Sequence, residues 1–146
     1  MIEYQILNTT DFVTTLEKEA IINFLMAKLE EYQDSRDNVS RAVEYSLSKF
    51  PHQGGFVLIA RNEGGIIGVC VVNRTNFEGY FAENILPFLA VCPEERGKGV
   101  ATGLLKQTMV YSKGSIVVRL KPDEKVADLF RKSGFGQGAH ELILKR

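Results

Sequence analysis

From Ile85 to Leu144 the chain alternates short apolar runs with helical stripes, and this alternation limits the fold more than any other feature. Ile85-Leu86-Pro87-Phe88-Leu89-Ala90-Val91 and Ser115-Ile116-Val117-Val118-Arg119-Leu120 read as strands, and a last strand is expected around Glu141 to Leu144. Between the first two, Val100, Leu104, Leu105, Thr108 and Met109 define a helix over Gly99 to Tyr111. Pro122 opens a second helix, carried by Val126, Leu129 and Phe130 and stopped by Gly134. Units of this kind close by right-handed crossovers and pair their strands in parallel. Pro87 has no ladder donor, so its place in a central strand predicts a bulge, or a splay from the neighbouring strand.

The first half reads differently. Ile2 to Leu7 form a short strand, and Phe12, Leu16, Ala20, Phe24, Leu25, Leu29 and Tyr32 recur as one helical stripe capped by Thr10 or Asp11. A polar break from Gln33 to Asn38 precedes a helix that turns Val39, Val43, Leu47 and Phe50 inward and ends at Pro51. Phe56 to Ala60 and Ile66 to Val72 are the strands of a hairpin joined by Arg61-Asn62-Glu63-Gly64-Gly65. Antiparallel strands here and parallel ones later give an α/β fold with a mixed central sheet, and the 146 residues suit one domain.

Composition removes several function classes. Hydrophobic residues at 45% and charged residues at 25% are globular values, which argues against disorder. The 18 Lys and Arg balance the 18 Asp and Glu, where a nucleic-acid binder carries a basic surplus. Cys70 and Cys92 make no disulfide framework, and with only His52 and His140 no metal site is expected. The N-terminal residues lack a basic and apolar leader pattern, and no apolar run reaches the roughly 18 residues of a membrane span. A cytoplasmic protein with no nucleic-acid or membrane partner is the expectation.

The segment that carries chemistry is Val91-Cys92-Pro93-Glu94-Glu95-Arg96-Gly97-Lys98-Gly99-Val100-Ala101. A strand ends, a loop turns, and two glycines sit where a helix begins. Glycines let a ligand approach the backbone, and the first helical N–H groups have no partner inside the helix. Such a terminus suits phosphate, and Arg96 and Lys98 add charge. A P-loop is excluded because no Ser or Thr follows Lys98, and a dinucleotide fingerprint because Thr102 stands at the third glycine. The expected ligand is a phosphate-bearing molecule other than ATP or NAD.

Ala90-Val91-x-Pro93-x-x-Arg96-Gly97-x-Gly99-x-Ala101 resembles the acetyl-CoA signature of the GNAT N-acetyltransferase superfamily, R/Q-x-x-G-x-G/A after a strand. Asp123 to Phe135 is similar in spacing to that family's N-x-x-A-x-x-L-Y-x-K-x-G-F segment, and the order of elements agrees over nearly the whole chain. The resemblance implies helices on both faces of the sheet and a signature strand that splays from the next parallel strand, leaving a V-shaped cleft for acetyl-CoA. Backbone N–H groups of Arg96, Gly97, Lys98, Gly99, Val100 and Ala101 would cradle the pyrophosphate. Leu89, Ala90 and Val91 would flank the pantetheine, with an N–H near Leu89 facing the thioester oxygen.

The implied reaction is acetyl transfer to a primary amine, in a small molecule or peptide, by direct attack in a ternary complex; the resemblance also admits a homodimer. Phe130 stands beside the cofactor where the family pattern has a Tyr acid, and Asp123 replaces an Asn. Glu83 and Tyr80, before the signature strand, are the candidate bases. The missing Tyr keeps a second reading open, an acyl-CoA-binding sensor or scaffold of low activity; a phosphate-ligand domain unrelated to CoA is a third. Residues 1–95 hold 14 acids and 7 bases and residues 96–146 hold 4 acids and 11 bases, so the basic part coincides with the anionic-cofactor side.

Overall fold

The computed structural model of the protein describes residues 1–29, 34–120 and 126–146. Five strands lie in sequence order across one sheet. β1 (Glu3–Asn8), β2 (Gly55–Asn62), β3 (Gly65–Arg74) and β4 (Asn84–Val91) pair antiparallel in turn, and β5 (Ile116–Val117) runs parallel to β4. Helices α1 (Thr15–Lys28) and α2 (Arg36–Leu47) cover one face, while α3 (Val100–Tyr111) and α4 (Val126–Lys132) cover the other. The mixed sheet with helices on both faces is the expected α/β class.

Side-chain alternation along the inner strands creates the two cores. Val57 and Ile59 of β2 and Val69 and Val71 of β3 pack with Ile21, Ile22 and Leu25 of α1 and Val39 and Val43 of α2. Leu58, Ala60, Cys70 and Val72 pack instead with Val100, Leu104 and Leu105 of α3 and Phe130 of α4. Strands buried on both faces read as unbroken apolar runs, as these do.

A register shift in β4 decides which of its residues face which core. Val71 pairs with Phe88, but Asn73 pairs with Ile85, so Leu86 and Pro87 together oppose the single residue Val72. This is a bulge at the proline, where a donor would be missing from a regular ladder. It reverses the side-chain phase: Leu86 joins Leu89 and Val91 on the α3 side, whereas Phe88 and Ala90 face α1 and α2.

Several boundaries differ from expectation. Thr14, not Thr10 or Asp11, caps α1, in a reciprocal box with Glu17. Asp11 instead accepts the Asn8 N–H at 2.8 Å and secures the turn after β1. Phe12 therefore precedes the helix and is 88% exposed, and Leu16 lies on the side away from the sheet. The buried stripe is Ile21, Ile22, Leu25 and Leu29, a choice that α1 leaves open by being apolar around much of its circumference. Helix α2 stops at Leu47, which leaves Phe50 exposed. β5 ends at Val117 rather than Leu120, and residues 141–144 form no strand, with Leu142 and Leu144 exposed. Gly134 does close α4, at φ 106°, as Phe135 N–H returns to the Phe130 carbonyl at 3.0 Å. Tyr32, Gln33, Pro122 and Asp123 lie outside the described residues.

Buried polar groups fasten the cleft end of the sheet. Asn84 is 2% exposed; its backbone N–H reaches the Ser115 carbonyl at 3.0 Å and its amide the Lys113 carbonyl at 2.7 Å. That clamp ties the chain before β5 to the start of β4. Replacing Asn84 with Ala should lower unfolding free energy by about 1–3 kcal/mol, read from urea denaturation, because carbonyls lose their donor. Burial pushes the Cys70 thiol up to about 12, despite its contact with Thr108 Oγ1 at 3.5 Å. Thiol titration of the native protein should therefore modify half-buried Cys92 first and Cys70 only on unfolding.

Candidate functional site

The β4–β5 ladder has two residue pairs, Asn84 with Ile116 and Ile85 with Val117. Beyond them the chains diverge, and a cavity of about 1150 Å³ occupies the gap. Ile85 to Val91 make one wall and Val118 to Leu120 the other. The loop and first turn of α3 close one end through Arg96, Gly97 and Gly99 to Thr102, while Lys28, Leu29 and Asp34 approach from the α1–α2 side. Val126, Leu129 and Phe130 of α4 complete it. This is the V-shaped cleft expected from the sequence.

Backbone parity gives the β4 wall its chemistry. The Cys92 N–H donates to the Ile67 carbonyl of the β3 chain at 2.8 Å. Alternate residues Ala90 and Phe88 therefore direct their backbone groups to β3, in register with Val69 and Val71. The N–H and C=O of Leu89 and Val91 consequently face the open gap. Before the bulge the phase is opposite, since the Asn84 N–H points toward β5. The bulge thus turns the odd-numbered residues of the strand's second half toward the cleft.

After Val91 a single 3-10 turn, Pro93–Glu95, leads into the glycine loop. Gly97 and Gly99 have φ of 82° and 81°, left-handed values natural to glycine, and the space where each Cβ would lie is open. Gly99 is the N-cap of α3 and supplies no side-chain cap. The first helical bond runs from Gly103 N–H to Gly99 O at 2.9 Å, so the N–H groups of Val100, Ala101 and Thr102 precede it. These donors, the helix dipole and the open space beside two glycines form a cradle that fits a phosphate group. Lys98 is not wholly given to that cradle: its ammonium lies 3.3 Å from Glu95, which also accepts from Asn62.

The expected site residues fall in different places. Leu89, Ala90, Val91, Arg96, Gly97, Gly99, Val100, Ala101 and Phe130 share the cavity wall. Phe130 is also a core residue, 2% exposed and edge-on to Phe135 at 5.2 Å. Lys98, Tyr80 and Glu83 do not line the cavity. Tyr80 is 81% exposed and stacks at a tilt on Phe77 at 5.6 Å. The Glu83 carboxylate accepts the Gly79 N–H at 3.0 Å and the Ser115 N–H at 2.7 Å, so it clasps the preceding loop to the chain entering β5. Those backbone donors hold its pKa below the ordinary carboxylate value. Arg119 and Glu141, absent from the expected set, form an ion pair at 2.9 Å on the cavity wall. An arginine interrupting the apolar run from Ile116 to Leu120 was the available signal for one of them.

A profile of the acetyltransferase (GNAT) domain family matches residues 53–137, more than half of the chain and all of the cleft's β4 and glycine-loop walls. The chain belongs to the GNAT acetyltransferase family. Among solved structures, this GNAT domain resembles an aminoglycoside N-acetyltransferase in complex with CoA, with a TM-score of 0.70 and 15% identity, over 100% of this chain and 96% of the other. It also resembles a protein from Clostridium acetobutylicum described as a predicted acetyltransferase and solved with acetyl-CoA, with a TM-score of 0.73 and 16% identity over 99% and 96% of the two chains. A third is an aminoglycoside acetyltransferase from an uncultured soil metagenomic sample in complex with sisomicin, at 0.62 and 15% identity over 99% and 97%. At these identities the likeness is one of fold. No curated protein sequence matches the chain. No helix among the described residues is long and apolar enough to cross a membrane.

The lowered Glu83 pKa has a defined consequence. Its clasp is complete above the unfolded carboxylate value of about 4.3 and weakens as pH falls through the lower folded value. The protection factor of the Ser115 amide, the intrinsic exchange rate divided by the observed rate at the same pH, should fall across that acidic window in the GNAT domain, and Glu83→Gln should remove that pH-dependent loss of protection.

Proposed function

We propose that the protein is an acetyltransferase that moves an acetyl group from acetyl-CoA to an amine of a small molecule or peptide. The observation that carries this reading is the shared cavity of an anion cradle at Gly97–Thr102 and the cleft-facing backbone of Leu89 and Val91. The cradle fits the pyrophosphate by donors and dipole, and the β4 edge fits the amide-rich pantetheine by strand-like pairing. On this reading the thioester end of the donor lies deeper along β4, toward the bulge.

At that depth the Leu89 N–H can donate to the carbonyl oxygen as negative charge gathers there. The neutral amine nitrogen bonds to the carbonyl carbon, the carbon–sulfur bond breaks, and the electron pair leaves with sulfur. The amine's proton passes to solvent through the open cleft, since Glu83 and Tyr80 lie off the cavity wall. The thiolate takes its proton from water, because Phe130 supplies no hydroxyl. Aminoglycoside relatives of the same fold support a small-molecule amine as acceptor.

Phe130 alone favours the second reading, a domain that binds acyl-CoA without efficient turnover. Thermal unfolding with CoA and thiol release with an amine panel separate the two. At a CoA concentration of 100 Kd, stabilisation should be about 2.7 kcal/mol, a rise of several degrees in Tm. The absence of any CoA-dependent rise overturns the donor assignment. Leu89→Pro deletes the cleft-facing N–H and spares the β3 ladder; it should lower kcat by about 10²–10³ with the CoA shift retained. A CoA shift without thiol release from any amine would favour the sensor.

A further inference from the structure

Three carboxylates line the cleft among the described residues: Asp34, Glu95 and Glu141. Two of them already hold local structure. Asp34 Oδ1 accepts the Ser35 N–H and the Asn38 amide, both at 2.7 Å, at the start of α2. Glu95 takes the Lys98 ammonium and the Asn62 amide, both at 3.3 Å. Glu141 is different in kind. It belongs to the segment after α4 that has no regular secondary structure, and Arg119 brings it to the wall, Nε lying 2.9 Å from Oε2.

The pair sits on the cavity wall formed by residues 118–120, across the gap from β4. Val118 and Leu120 pack against the core under α3 and α4, while Arg119 between them is largely exposed and lines the cavity with Glu141. A carboxylate offers about four lone-pair positions, and the Arg119 contact uses one. Both side chains remain accessible, at 69% and 50% exposure.

We infer that Glu141 is the acceptor-selecting residue of the cleft, binding an ammonium group that the acceptor carries in addition to its reacting amine, with Arg119 as its positioning residue. This rests on the acetyl-transfer reading above. The distinction between two amines follows from the chemistry. Attack requires a neutral nitrogen, and a carboxylate in contact with that nitrogen would favour its protonated form. The group held by Glu141 is therefore a second cation, and the acceptor class is a diamine or polyamine-like molecule. At this exposure the effect is modest and sensitive to salt.

The test compares a terminal diamine with the monoamine of equal chain length, using acetyl-CoA and thiol release. The protein should prefer the diamine in kcat/KM, Glu141→Gln should reduce that preference about three- to tenfold, and 0.5 M salt should do the same. Arg119→Gln should also erode the preference, with Arg119→Lys restoring part of it, whereas a purely structural pair would change both amines together. Equal kcat/KM for the two amines in the unsubstituted protein overturns this inference and leaves acetyl transfer standing. A preference that survives Glu141→Gln overturns it too. No turnover of either amine by the unsubstituted protein overturns the transfer reading and this one with it.

Discussion

A parallel ladder between β4 and β5 would ordinarily continue for the length of the shorter strand, and each further pair would add hydrogen bonds and close the gap. Here it stops after Ile85 and Val117. The divergence leaves polar backbone unpaired along β4, a costly arrangement unless a ligand or water supplies the missing partners. Every other element of the site depends on that divergence: the cavity exists because β5 departs, and the glycine loop closes its end. The Asn84 clamp and the Glu83 clasp hold the point from which the strands separate, so the opening has a fixed hinge of buried and backbone-paired groups.

Much of this was legible in the residues. Pro87 announced an irregular β4 because a missing N–H cannot be hidden in a ladder, and the irregularity is the bulge at Leu86 and Pro87. Gly97 and Gly99 announced a ligand-facing turn, and both adopt left-handed backbone. The helical stripe of α3 was readable because Val100, Leu104 and Leu105 face β3 under strong spacing constraints.

The parts that were not legible share a physical cause. In α1, apolar residues surround the helix, so periodicity alone could not choose between Leu16 and Ile22 as the inward side. The end of β5 could not be read, since Val118 and Leu120 stay apolar after leaving the sheet to line the cleft. The 141–144 segment has strand-like composition, but composition supplies no partner strand, and its Leu142 is exposed. The Glu83 clasp has no sign in the sequence, since nothing in the local pattern shows that the Gly79 and Ser115 N–H groups converge on its carboxylate. Such convergence is a property of loops brought together by the fold rather than of local pattern.

The β4 bulge carries a further implication about how this domain tolerates change. The groups offered to a ligand at Leu89 and Val91 are main-chain atoms, so their identity survives almost any side-chain replacement that keeps the core filled. Their direction, however, depends on a count: one added residue opposite Val72 sets odd positions rather than even ones toward the gap. Strand β4 is thus permissive in spelling and strict in length. Losing or gaining a single residue between Ile85 and Phe88 would rotate the whole downstream frame, burying the ligand-facing amides against β3 while every side chain it contains remained the same.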